Sequence, residues 1–145
     1  MTKTRTPALG AEGWFTEEGG PALLGSRCTT CGTVFFPKAA YACRNPECAG
    51  TTFAEARLAT SGTVWSYTDA QYQPPPPYVP TTDPYEPFAL AAVELDGDGL
   101  VVLGQTVAGT SVADLHVGQP VELVADTLFE DDDHEYRIWK WSVVG

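Results

Sequence analysis

Long apolar runs, a signal-peptide pattern, a recognisable nucleophile and positive charge in the C-terminal part are all scarce or missing in this 145-residue chain. Each gap narrows what the protein can do. No run approaches the ~20 apolar residues that a membrane helix needs. Residues 1–27 hold Gly10, Gly13, Gly19 and Gly20 with Glu12, Glu17 and Glu18 where a signal sequence would have its apolar segment. A soluble protein of the cytoplasm, with no membrane partner, is the expectation. No Gly-x-Ser-x-Gly elbow occurs, and the two histidines, His116 and His134, stand among turn-forming residues, which leaves no candidate catalytic residue. Basic side chains are unevenly placed. Residues 1–57 carry six against five acidic, a net +1, whereas residues 58–145 carry two against fourteen, a net −12. Nucleic-acid binders gain most of their affinity by neutralising phosphates, so an acidic body of this kind argues against a nucleic-acid partner.

Cysteine is equally sparse, but its four copies are paired: Cys28-Thr29-Thr30-Cys31, then Cys43-Arg44-Asn45-Pro46-Glu47-Cys48. Thiolates at such spacing can surround one zinc ion tetrahedrally. Gly32, next to the first pair, suits the turn that aims backbone N–H groups back at sulfur, since that turn often needs positive φ. The second pair has four intervening residues rather than two and requires a longer knuckle. Two disulfides or four free thiols are the competing readings; a cytosolic setting disfavours the first.

Residues 1–13 read as a flexible leader, 14–56 as an N-terminal segment with the zinc ribbon, and 57–145 as a second unit. A short helical turn is expected around Trp14 to Glu18, stopped by Gly19-Gly20-Pro21, then a strand from Ala22 into Cys28 and another over residues 33–37. Beyond Thr51, β-branched and aromatic runs separated by turn residues predict strands at Ser61–Tyr72, Phe88–Leu95, Leu100–Val107, Pro120–Thr127 and Tyr136–Val144. In the first, Thr63, Trp65, Tyr67 and Asp69 should share one face. Asp96-Gly97-Asp98-Gly99 is a hairpin signal, and Ser111 with Asp114 can cap a single helical turn. The fold class is thus mainly β, an N-terminal zinc ribbon followed by a five-stranded OB-fold barrel.

Seven of the twelve prolines fall within the loop 73–87, where Pro74–Pro77 favours a stiff extended arm. Tyr72, Tyr78 and Tyr85 interleave with them and are candidate partner contacts; the plainer reading is a solvated linker. Trp139 and Trp141 flank Lys140 on the last strand. One is expected to fill the barrel and the other to anchor a partner. The run from Glu130 to Glu135 lacks the spaced ligands and glycine of a calcium loop, and reads as a solvated hairpin that can adjust to a basic partner.

The ribbon cysteines, Gly62-Thr63-Val64-Trp65-Ser66-Tyr67-Thr68, the segment from Pro87 to Asp96 and Val117-Gly118-Gln119-Pro120-Val121-Glu122-Leu123 together resemble one known family over about residues 14–144. It pairs a rubredoxin-like zinc ribbon with an acyl-CoA-associated OB-fold. The resemblance implies structural zinc on Cys28, Cys31, Cys43 and Cys48, and no catalytic machinery. It further implies a thiolase-like enzyme partner in a heterotetramer, with acyl-CoA as the complex's ligand. Some members of the family act beside thiolase-like retroaldolases of steroid side-chain degradation; others serve MaoC-type enoyl-CoA hydratases. A stand-alone acyl-CoA-binding protein is a further alternative. Arg27, Lys38, Arg44 and Arg57, gathered by sequence around the ribbon, are candidates for the coenzyme A phosphates, and ordinary solubility charges are the competing reading. The long second knuckle and Gly19-Gly20-Pro21, where relatives continue a helix, depart from the pattern.

Overall fold

Five strands close on one another around Trp141 in the computed structural model, which describes residues 3–8, 10–76, 78–80, 83–97 and 99–144. Pro77 of the proline run and Asp98 of the predicted hairpin turn lie outside the described residues. In chain order the strands are β1 (Thr4–Pro7), β2 (Phe15–Thr16), β3 (Ala22–Cys28), β4 (Val34–Phe35), β5 (Phe53–Arg57), β6 (Ser61–Asp69), β7 (Ala89–Leu95), β8 (Val101–Thr106), β9 (Pro120–Glu130) and β10 (His134–Val143).

The barrel is built by antiparallel pairs β6–β7, β7–β8, β9–β10 and β6–β9, with β8 and β10 joined in parallel. That closed circuit, with a 3-10 turn at Val112–Asp114 between its third and fourth strands, is the order expected of an OB-fold. Asp114 accepts the Ser111 N–H at 2.9 Å, as the capping pattern predicts. Inward side chains alternate along each strand: Val64, Ala91, Val93, Leu95, Val102, Val121, Leu123 and Trp141 are all buried. A Cβ at Gly104 would stand 2.9 Å from the Nε1 atoms of both Trp139 and Trp141, so only a bare backbone lets the two indoles lie against β8.

One alternation fails. On β6, Val64 pairs with Val93 and Ser66 with Ala92, which leaves Trp65 as the extra residue of a β-bulge. Paired residues share a face, so Val64 lies inward with Val93, while beyond the bulge Tyr67 takes the face of buried Ala91. Thr63, Trp65, Tyr67 and Asp69 therefore do not share a face.

The N-terminal residues also differ from expectation. Instead of a flexible leader, residues 4–7 form β1, which runs parallel to β10 from Thr4 opposite His134 to Pro7 opposite Arg137. Because β9 occupies the other edge of β10, β1 and β8 share one edge in tandem. Ala8 and Ala11 are buried beyond it. The helical turn expected at Trp14–Glu18 is replaced by β2, whose Phe15 pairs with Leu23 of β3. A single turn stopped by two glycines gains too few hydrogen bonds to compete with that buried contact.

Aromatic rings join the small N-terminal sheet to the barrel. Trp139 stacks on Trp14 and meets Phe15 and Phe36 edge-on. Beside it, Arg137 grips Glu17 through two hydrogen bonds of 2.8 and 3.2 Å.

Candidate functional site

Cys28 ends β3, whose ladder with β5 continues to the pair Cys28 and Phe53. Thr33 O accepts from Cys28 N–H at 2.9 Å, and Gly32 N–H returns to Cys28 O. Gly32 has a φ of 78°, the positive value this turn was expected to need. The longer second knuckle is folded by Asn45. Its backbone oxygen accepts the Cys48 N–H and its side chain accepts the Glu47 N–H, while Cys43 N–H donates to Gly50 O. Four intervening residues are thereby absorbed without moving the sulfurs apart.

The four Sγ atoms all lie within 4.8 Å of one another. Cys28 and Cys48 are separated by 3.8 Å and Cys31 and Cys43 by 3.6 Å. Sulfurs placed about 2.3 Å from a central zinc form a tetrahedron with edges of about 3.8 Å. Disulfide sulfurs would stand at about 2.05 Å, so these thiols are unpaired. The donor set thus fits one zinc ion, and four protein ligands would leave it no open position for water or substrate, the arrangement of a structural site.

Local hydrogen bonds and burial pull the thiols in opposite directions. The Thr33 hydroxyl and N–H hold Cys31 down to about 6, and the N–H groups of Cys31 and Thr30 lower Cys28. Burial pushes Cys43 up to about 12. Gly50 sits so close that a Cβ there would lie 2.8 Å from the Cys28 sulfur, and its N–H donates to Cys48 Sγ at 3.3 Å.

The four cations proposed for coenzyme A phosphates all have internal partners. Arg27 donates to Gly32 O, Arg44 to Pro37 O and Lys38 O, Arg57 to Gly20 O, and Lys38 pairs with Glu55 at 2.7 Å. Arg57 is opposite Leu24 and Arg27 opposite Ala54, three residues apart along the ladder or about 10 Å. The three arginines brace backbone carbonyls, and Lys38 is held by the Glu55 side chain.

Among the aromatic candidates, Trp141 is 0% exposed and fills the barrel, so it is unavailable to a partner. Trp139 is half-buried in the contact between the two sheets, an anchor whose partner is this chain itself. Tyr78 and Tyr85 pack against each other and Phe88, and the Tyr85 hydroxyl donates to Ala70 O. Tyr78 N–H bonds to Pro75 O, so the arm turns there rather than running extended. Tyr72, at 89% exposure, is the one of the three left fully presented.

The acidic hairpin is more organised than a solvated loop. Asp131 accepts the N–H groups of Asp133 and His134 and the Tyr136 hydroxyl, Glu130 pairs with Lys3, and Glu135 pairs with Arg5 and Arg137. His134 Nδ1 is 3.6 Å from Asp131, and His116 is exposed in a turn closed by Gln119. Neither arrangement is that of a base poised on a nucleophile. Two features escaped sequence reasoning: the exposed side chains Val101 and Leu103 on β8, and a groove of about 500 Å³ between the tyrosine arm and β9, with Lys140 and Asp126 in its wall. Neither carries a motif. No helix among the described residues is long and apolar enough to cross a membrane.

Comparison with known proteins agrees with this geometry. Residues 21–54 match the rubredoxin-like zinc ribbon domain of ChsH2, and residues 55–126 match its C-terminal OB-fold domain. A DUF35 domain-containing scaffold protein of Methanocaldococcus jannaschii is 32% identical over 112 residues, which is 77% of this chain and 72% of the relative. The chain belongs to the DUF35 family. A solved member of that family, described as an Ltp2-ChsH2(DUF35) aldolase, superimposes with a TM-score of 0.66 at 26% identity, covering 95% of this chain and 98% of the other. All four cysteines fall within the first match, and the second covers β6, β7, β8 and the start of β9.

Proposed function

We propose that this chain is a non-catalytic accessory subunit which docks on a thiolase-fold acyl-CoA enzyme, most specifically a retroaldolase of steroid side-chain degradation. The observation that carries the reading is the likeness, over 95% of the chain, to the DUF35 component of an aldolase complex. The scaffold role in the name of the archaeal relative supports it too. So does the site chemistry, because a four-thiolate zinc has no free coordination position and the histidines face no nucleophile.

In this reading the work is positional and takes place in the cytoplasm. The ribbon, shaped by zinc, and the barrel hold the partner's acyl-CoA site in its active geometry as a heterotetramer. The partner supplies the acid and the base. Misplacement of reacting groups by about 1 Å can cost roughly 10²-fold in rate, so a subunit without a reacting group can still control turnover. Arg27, Lys38, Arg44 and Arg57 each spend only part of their donor set on internal partners, and in this reading the remaining N–H groups meet the coenzyme A phosphates.

Purification of the tagged chain from its own cells, followed by identification and assay of its companion, tests the proposal. The expected result is a thiolase-fold enzyme that cleaves a β-hydroxyacyl-CoA only in the complex, while the isolated chain binds one zinc and turns over nothing. Turnover by the isolated chain would overturn the reading, and recovery of an enoyl-CoA hydratase would replace the partner.

A further inference from the structure

The solvent face of a barrel sheet is normally polar. On the outer face of β6–β7–β8 the polar side chains Thr63, Ser66, Thr68, Glu94 and Gln105 are interrupted by an apolar row. Ala92 lies beside Ser66 on one side and Leu103 on the other, and Val101 follows Leu103 on the same face. The bulge on β6 leaves Trp65 59% exposed next to this row, and Leu103 is 58% exposed. Bulges re-aim side chains and are kept where the new direction is used. Exposed Trp, Leu and Val gathered on one sheet face mark a contact surface rather than a scatter of single apolar residues.

We infer that this face, centred on Trp65 and Leu103, is where the enzyme partner seats, and that the partner covers it with an apolar surface fringed by lysine or arginine. This rests on the accessory-subunit reading above. Charge selects the occupant. The three strands contain no Lys or Arg, and exposed Glu94 stands in the row beside Val101. Residues 58–145 carry a net charge of −12, so a second copy of the barrel would bring like charge against like. A cationic rim is repelled by neither. Burial of one aromatic and one aliphatic anchor within a charged fringe is the usual energetic layout of a protein interface.

The test compares wild type with Trp65→Glu, Leu103→Glu and Glu94→Lys, and with Glu18→Ala, an exposed position just after β2, as control. Affinity for the purified partner is measured at low and high salt. Zinc content and melting temperature verify that each variant is folded. The expected losses are about 30-fold or more for Trp65→Glu and Leu103→Glu, with a smaller loss and a weaker salt dependence for Glu94→Lys and no change for Glu18→Ala. Folded variants that bind as tightly as wild type would overturn the surface while leaving the accessory role intact. If wild type binds no thiolase-fold enzyme, both fall. A wild-type homodimer dissociated by the same substitutions would give the face to a second copy and overturn the proposal.

Discussion

Trp139 of β10 lies nearly parallel to Trp14, with ring centroids 6.2 Å apart and planes inclined by 14°. One residue belongs to the barrel and the other precedes the small sheet that carries the ribbon, so this stack couples the two units. Phe15 and Phe36 complete the cluster, and the bidentate Arg137–Glu17 pair closes its flank.

The coupling is measurable. Offset-stacked aromatic pairs contribute about 0.5–1.5 kcal/mol beyond their buried area, so a double-mutant cycle of Trp14→Ala and Trp139→Ala should give an interaction energy of that size from urea denaturation. Trp139→Ala alone should cost more than Trp14→Ala, since Trp139 touches three rings and donates to Leu103 O. Strictly additive losses would mean that the two units fold without communicating through this contact.

Metal removal should act locally. Structural zinc contributes its binding energy directly to folding, but here β3 and β5 are also held by Leu23, Ala56 and Leu58, which belong to the same hydrophobic core as the barrel. Treatment with a chelator, or Cys43→Ser, is therefore expected to remove one equivalent of zinc. Amide exchange should then quicken across residues 28–52, including the Cys43 and Cys48 N–H groups, with β6–β10 still protected. Exchange at the global rate throughout the barrel would show that the clip supports the whole molecule.

Much of this architecture was legible from residue order alone. Cys28, Cys31, Cys43 and Cys48 are spaced for a metal, and the alternation from Ala89 to Leu95 or from Pro120 onward follows directly from one buried face. What stayed hidden depends on non-local partners. The four residues of β1 have no pattern of their own and are ordered by an edge of β10 that lies 127 or more positions away. Bulge formation at Trp65 leaves no glycine or proline to announce it, yet it reverses the faces of everything after it. The carbonyls of Gly20, Gly32 and Pro37 that the ribbon's arginines hold were hidden for the same reason, since nothing local in the sequence pairs them. The same holds for the two tryptophans of β10. Their spacing puts them on one face, but only the position of the N-terminal sheet decides that Trp139 is shared between units while Trp141 is enclosed.

Asp131 provides a pH-dependent check on the acidic hairpin. The Tyr136 hydroxyl and the N–H groups of Asp133 and His134 stabilise its carboxylate and lower its pKa to about 2, from an ordinary value of 3.8. A depressed carboxylate pKa stabilises the folded state fully at pH values above the ordinary one, and the contribution disappears as pH falls from about 4 through about 2. Asp131→Asn should accordingly lower the urea midpoint at pH 7. Its deficit relative to wild type should shrink over that acid window, because protonation then removes the same charge from wild type. Any thiolate protonation at the ribbon affects both proteins alike and drops out of the comparison. The bond has a second readout at the other end of the pH scale. Asp131 raises the Tyr136 phenol above its ordinary 10, since the phenol donates to a carboxylate and its ionisation would place two negative charges together. In Asp131→Asn, ultraviolet titration should show one tyrosine ionising at lower pH than in wild type. An unchanged tyrosine titration would mean that the Tyr136 bond contributes nothing, and a deficit that does not vary with pH would mean that the Asp131 charge does not stabilise the hairpin at all.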